Sequence, residues 1–228
     1  MTTHEDLAKR IDCSLLAVSL TEDAVRHACK QAAQLALACC IVRPTDVEVA
    51  LRAAGPSLCI GSVVDYPCGY STTSAKLYAA RDLLRRGARE IETPMNLGKL
   101  LDRQFQYLES ELQQMAQAAH ESGAVLKVSI EASAFDDELL MLSCRILRRA
   151  EVDFLSTPSV DRFELLKAHS RGRLRFKVSA PFGDLDGALA ACENGSARLE
   201  AADPSALLGA WNRRLAAREA EKAPALNA

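Results

Sequence analysis

LKVSIEA, residues 126–132, decides the reading of the fold. Leu126, Val128 and Ile130 alternate with Lys127, Ser129 and Glu131, and side chains alternate faces along a strand. LRFKVSA, residues 174–180, repeats the pattern, with Leu174, Phe176 and Val178 set against Arg175, Lys177 and Ser179. If each strand carries helices on one face, the apolar set meets those helices and Lys127, Glu131 and Lys177 point the other way. An unpaired interior charge costs several kcal/mol, roughly, so such groups must pair or ionise abnormally. Two uses are open: catalysis, or a structural Lys–Glu network closing a barrel.

Runs of the same kind recur along the chain at Ile11–Leu16, Ala38–Val42, Leu58–Val64, Arg89–Met95, Val125–Glu131, Val152–Thr157, Leu174–Ser179 and Ala197–Ala201. Amphipathic stretches lie between them, among them Glu22–Gln34, Ser74–Arg86, Leu100–Ser122, Asp136–Arg149, Arg162–Ala168 and Ser205–Leu215. Gly87, Gly123 and Gly195 stand where a helix should end before the next strand. Strand candidates alternating with helix candidates predict an α/β fold with a parallel sheet. Eight such units close into a (β/α)8 TIM barrel, for which about 250 residues is typical. An open dinucleotide-binding sheet would want G-x-G-x-x-G after its first strand, and the chain has none. The reading is one barrel domain over residues 1–215, with 216–228 as an Ala/Glu/Lys-rich fraying helix or tail.

The composition sets outer limits. The chain has 228 residues, and its 28 Lys+Arg against 30 Asp+Glu give a formal net charge of −2. That balance offers no footprint for nucleic acid or an anionic membrane. Hydrophobic residues at 49% and charged residues at 25% belong to a globular chain rather than a disordered one. No run of about 18 apolar residues occurs, so no spanning helix is expected. The polar start MTTHEDLAKRID lacks an apolar signal core, and the expected location is cytoplasmic. Eight cysteines with no C-x-x-C pair and no zinc-finger spacing read as reduced thiols, with neither metal nor other cofactor expected. His4, His27, His120 and His169 fall on terminal or helical segments outside a barrel.

Taken in order, IDCSLL (11–16), the Cys40–Pro44 segment, YPCGYSTTSAK (66–76), GAREIETPMNLGKL (87–100), LKVSIEA (126–132) and KVSA (177–180) resemble the deoxyribose-phosphate aldolase family over nearly the whole chain. The resemblance implies a (β/α)8 barrel, a class I aldolase ancestry and homodimers. In that family a lysine on the sixth strand forms a Schiff base with acetaldehyde, a lysine on the seventh lowers its pKa, and an aspartate on the fourth handles protons. Glycine-rich loops after strands seven and eight hold the substrate phosphate. Carried over, the seventh-strand lysine is Lys177, the aspartate becomes Glu92, and Lys127, Asp12 and Lys76 match their motifs.

The departures are as informative. The Schiff-base lysine falls on Ser156, and a hydroxyl cannot form an imine. Gly-Gly after the seventh-strand lysine is Ala180-Pro181, which lacks an N–H donor and glycine's close approach. RLEAAD puts Glu200 and Asp203 where neutral donors would meet a phosphate, and Val160 replaces a further glycine. Cleavage of 2-deoxyribose 5-phosphate is therefore not expected. One expectation is a carbon–carbon lyase for an unphosphorylated carbonyl or sugar-like molecule. Lys177 or Lys127 would be its imine-forming amine, each lysine depressing the other's pKa. Glu92 would be the acid/base, with Asp12, Cys40, Glu131, Ser156, Glu200 and Asp203 facing the ligand. The alternatives are a catalytically inactive binding module and an imine-free isomerase or dehydratase. Cys13, beside Asp12, is a further candidate for the mouth.

Overall fold

In a computed structural model, Asp12 stands opposite Cys39 on one side and Glu200 on the other, a register that joins the first strand to both the second and the eighth. The sheet is a closed parallel barrel of eight strands in sequence order. The structure describes residues 1–158, 160, 162–169, 172 and 174–222. A short helix α1 (His4–Ala8) leads into β1 (Ile11–Leu15), then α2 (Glu22–Gln34), β2 (Cys39–Val42), α3 (Val47–Ala54) and β3 (Cys59–Val63). The second quarter runs α4 (Thr73–Arg85), β4 (Glu90–Pro94), α5 (Leu97–Leu101), α6 (Phe105–Glu121) and β5 (Val125–Ser129). The chain continues with α7 (Asp137–Arg149), β6 (Phe154–Thr157), α8 (Phe163–His169), β7 (Arg175–Phe182), α9 (Leu185–Glu193), β8 (Arg198–Ala201) and α10 (Pro204–Lys222).

Seven of the eight runs read from the sequence contain one of these strands, and β7 outruns the eighth, Leu174–Ser179, by continuing to Phe182. Side-chain oxygens start the helices: Thr21 accepts from the Ala24 N–H, Asp136 from Leu139 and Asp184 from Gly187, filling orphan donors of the first turn. Gly87, with φ +106°, ends the α4 segment in a conformation that an L side chain adopts only with strain. Leu126, Val128 and Val178 are fully buried against the helices, as the alternation required.

One expectation is corrected. The stretch Leu100–Ser122 is two helices, because the chain turns between α5 and α6 through Arg103 at φ +56°. Of the two forms open for the last residues, helix holds as far as Lys222, where α10 ends; residues 223–228 lie outside the described residues. Among the described residues no helix is long and apolar enough to cross a membrane.

Candidate active site at the barrel interior

Opposite the helix-facing residues, the inward parity of β1, β4, β5, β7 and β8 brings together Asp12, Glu90, Glu92, Lys127, Lys177, Arg198 and Glu200. Asp12 is fully buried and sits at the centre. It accepts from Lys127 Nζ at 2.5 Å and from Arg198 Nη1 at 2.6 Å, and lies 3.4 Å from Lys177 Nζ. Lys127 is also 2.5 Å from Glu90, as an ion pair without the alignment of a hydrogen bond. Arg198 reaches the other Glu90 oxygen at 3.2 Å. Nearer the mouth, the Lys177 ammonium meets Glu92 at 3.0 Å and Glu200 at 2.8 Å. Those two carboxylates keep 12% and 15% of their side-chain surface open, whereas Lys177 keeps none.

The electrostatics reverse one sequence expectation. Burial works against the charge on Lys177, but Glu92, Asp12 and Glu200 outweigh it and hold its pKa well above the usual lysine value. Lys127 is likewise penalised by burial, is raised by Asp12 and Glu90, and is lowered only in part by Lys177. Burial would raise the Asp12 carboxyl, yet Lys127, Lys177 and Arg198 pull it below the ordinary carboxylate range. The lysines therefore do not depress one another into nucleophiles. Four carboxylates against three cations leave the cluster with one net negative charge, and the nearest charges to each amine are opposite in sign.

Ser156 is level with Lys177 across β6–β7 and with Ser129 across β5–β6. Its hydroxyl is buried without a hydrogen-bond partner among the described residues. The remaining candidates lie elsewhere. Cys40 does not join the interior: its neighbour Cys39 takes the inward parity opposite Asp12, so Cys40 faces the helices in contact with the thiols of Cys13 and Cys29. Cys13 likewise faces outward and lines a cleft of about 380 Å³ with Ala28, Leu37 and Asp203. Asp203 lies past the end of β8, where its carboxylate accepts from the Ala206 N–H at 3.0 Å and caps α10. Glu131 lies beyond β5, exposed on a rim pocket with Tyr66, Met95 and Phe135. Lys76 is buried 2.8 Å from Glu111 and 2.6 Å from the Gly69 carbonyl, where it ties the β3–α4 loop to α6.

Sequence reasoning missed Glu90 and Arg198. The signal was present, because Glu90 and Glu92 alternate with Ile91 as Arg198 and Glu200 alternate with Leu199.

No family model matches the chain. Deoxyribose-phosphate aldolase of Microcystis aeruginosa is 31% identical over 202 residues, spanning 85% of this chain and 88% of that one. The Clostridium perfringens enzyme of the same name is 26% identical over 206 residues, spanning 86% and 92%. Among solved structures, a tetrameric deoxyribose phosphate aldolase from Aeropyrum pernix superposes with a TM-score of 0.81 at 25% identity, over 93% of each chain. An aldolase designated QR15 gives a TM-score of 0.85 at 24% identity, covering 92% of this chain and 97% of that one, and bears on the fold alone. With the closed barrel and this extent of likeness, the chain belongs to the deoxyribose-phosphate aldolase family.

Proposed function

We propose that this family member has given up imine chemistry and does not cleave 2-deoxyribose 5-phosphate, and that its mouth binds an uncharged, hydroxyl-bearing carbonyl or sugar-like molecule. One observation carries the reading. Among the described residues the only amine beside Ser156 in the register is Lys177, and its ammonium is clamped between Glu92 and Glu200. Imine formation needs a free amine, and removing a proton from Lys177 would strand two carboxylates in a buried site. The same two carboxylates, with Asp203 occupying the N-terminus of α10, oppose a phosphate dianion. The partly open carboxylate oxygens of Glu92 and Glu200 instead suit a ligand that donates hydrogen bonds through hydroxyl groups.

The test is mass spectrometry after borohydride reduction in the presence of acetaldehyde and a panel of small aldehydes and ketones. No adduct is expected on any interior lysine. An adduct on Lys177 or Lys127 would restore the lyase expectation, as would turnover of 2-deoxyribose 5-phosphate at an ordinary rate.

The openness of Glu92 and Glu200 supports one other reading. A carboxylate paired with a permanently charged ammonium is also an arrangement for imine-free proton transfer. A carbonyl substrate turned over with a bell-shaped pH–rate profile, insensitive to borohydride and abolished by Glu92→Gln, would select that isomerase or dehydratase reading over simple binding. The homodimer implied by the resemblance is a proposal on the same footing, which light scattering checks.

A further inference from the structure

Three consecutive strands begin with residues able to bind a metal: Cys39 opens β2, Cys59 opens β3 and Glu90 opens β4. Cys39 and Cys59 are register partners. Cys39 shares the inward parity of Asp12 and packs with Ile41, Val63 and Cys59 apart from the helix-facing core. The two sulfurs and a Glu90 carboxylate oxygen lie within 4.8 Å of one another. A zinc ion about 2.3 Å from each of two thiolates sets its sulfurs roughly 3.8 Å apart, so small rotations of these side chains close the site. We propose that Cys39, Cys59 and Glu90 bind a thiophilic divalent cation of the zinc class at the N-terminal end of the barrel.

The surrounding charge fits a divalent ion. Asp12 and Glu90 are already balanced by Lys127 and Arg198. Two thiolates then add two negative charges, which a divalent cation cancels without Glu90 leaving its ion pairs. Each thiol releases its proton to solvent as its sulfur–metal bond forms, so binding tightens as pH rises. Two sulfur donors favour a soft, thiophilic ion over magnesium or calcium, which take oxygen ligands. Cys59 is half-buried and gives the ion a way in. A fourth position is left for water. Residues at this end of such a barrel serve stability rather than chemistry, and the ion would staple three strand starts, independent of what the mouth binds. Linear spacing could not reveal the site, because its donors are scattered over the chain and meet only through the register.

The test uses the full chain, stripped with a chelator and titrated with Co²⁺ alone. One equivalent is expected to give thiolate-to-cobalt charge-transfer absorption and to raise the melting temperature. Cys59→Ser should lose both, while Cys13→Ser, which removes an outward thiol, should keep both. A wild-type titration without the absorption overturns the proposal, as does absorption that survives Cys59→Ser or disappears in Cys13→Ser. A second measurement needs no variant: Zn²⁺ should protect Cys59 from iodoacetamide, read by peptide mass spectrometry, and leave the Cys13 rate unchanged. Equal effects on the two cysteines, or no protection of Cys59, overturn it as well.

Discussion

Lys177 shows how one side chain changes meaning when its neighbour changes. With an amine at residue 156 it would face a like charge; with Ser156 there, its nearest charges are the carboxylates of Glu92 and Glu200. Replacing it by Met leaves both carboxylates and Asp12 short of a cation, and breaking a buried pair from one side costs about 3–5 kcal/mol. Lys177→Met is therefore expected to fold but to lose that much in urea denaturation; a loss below about 1 kcal/mol would mean that the clamp is loose. The pH dependence follows from the same groups. Asp12 has a folded pKa below its unfolded value of about 3.9, so its contribution is complete above that value and is lost as pH falls through the folded pKa. Lys127 and Lys177 have folded pKa values above about 10.4, so theirs is complete below that value and is lost as pH rises through the folded pKa. From these groups the urea midpoint should be flat between about pH 4 and 10 and fall on either side. Asp12→Asn should flatten the acid limb, and an unchanged acid slope in that variant would remove Asp12 from the account. Lys127, Lys177 and Asp12 were legible because period-two alternation or a motif marked them. Cys40 was misplaced because β2 reads CCIV, buried at every position, so no alternation tells its inward face from its outward one.

At the scale of elements, what lies beyond a strand end escapes parity. Asp203 and Glu131 both follow the last paired residue of their strands, and the backbone turn carries each away from the interior. Asp203 serves α10 instead, accepting from the Ala206 N–H. Asp203→Ala should cost about 1 kcal/mol, the ordinary worth of an N-cap, and, by removing one of the three opposing carboxylates, should weaken the exclusion of phosphate; calorimetry with inorganic phosphate checks the second half. The end of α7 offers the opposite case. Glu151 is exposed with φ +58°, a conformation that costs a non-glycine residue about 1 kcal/mol. Glu151→Gly should raise stability by roughly 0.5 kcal/mol or more, and a decrease in the urea midpoint would show that its side chain does something the geometry does not display. The turn at Arg103 was unreadable for a related reason. Nothing in Leu101-Asp102-Arg103-Gln104 is a glycine or proline, and the left-handed residue there is held by backbone bonds from the Arg103 N–H to Leu100 and from the Gln104 N–H to Lys99, which any residue type can make.

Across the whole molecule, closure makes Asp12 more than one buried acid. Its oxygens reach lysines on β5 and β7 and an arginine on β8, while Glu90 on β4 completes the ring through Lys127 and Arg198. Strands distant in sequence are thus tied through a single carboxylate, and in a closed barrel none of them can leave without opening the ring. Asp12→Asn should cost about 3–5 kcal/mol, a fall of roughly 6–20 °C in melting temperature for a chain of this size. Lys127→Met should cost a similar amount, since it strands Asp12 and Glu90. The double variant removes both ends of the contact, so its loss should fall short of the sum of the single losses by about 0.5–3 kcal/mol, the range for residues in one network. Hydrogen exchange should show the single variants weakening protection in β1, β5 and β8 together. Additive losses in the cycle, or weakening confined to β1, would mean that the interior charges are independent pairs lining the barrel rather than one network that closes it.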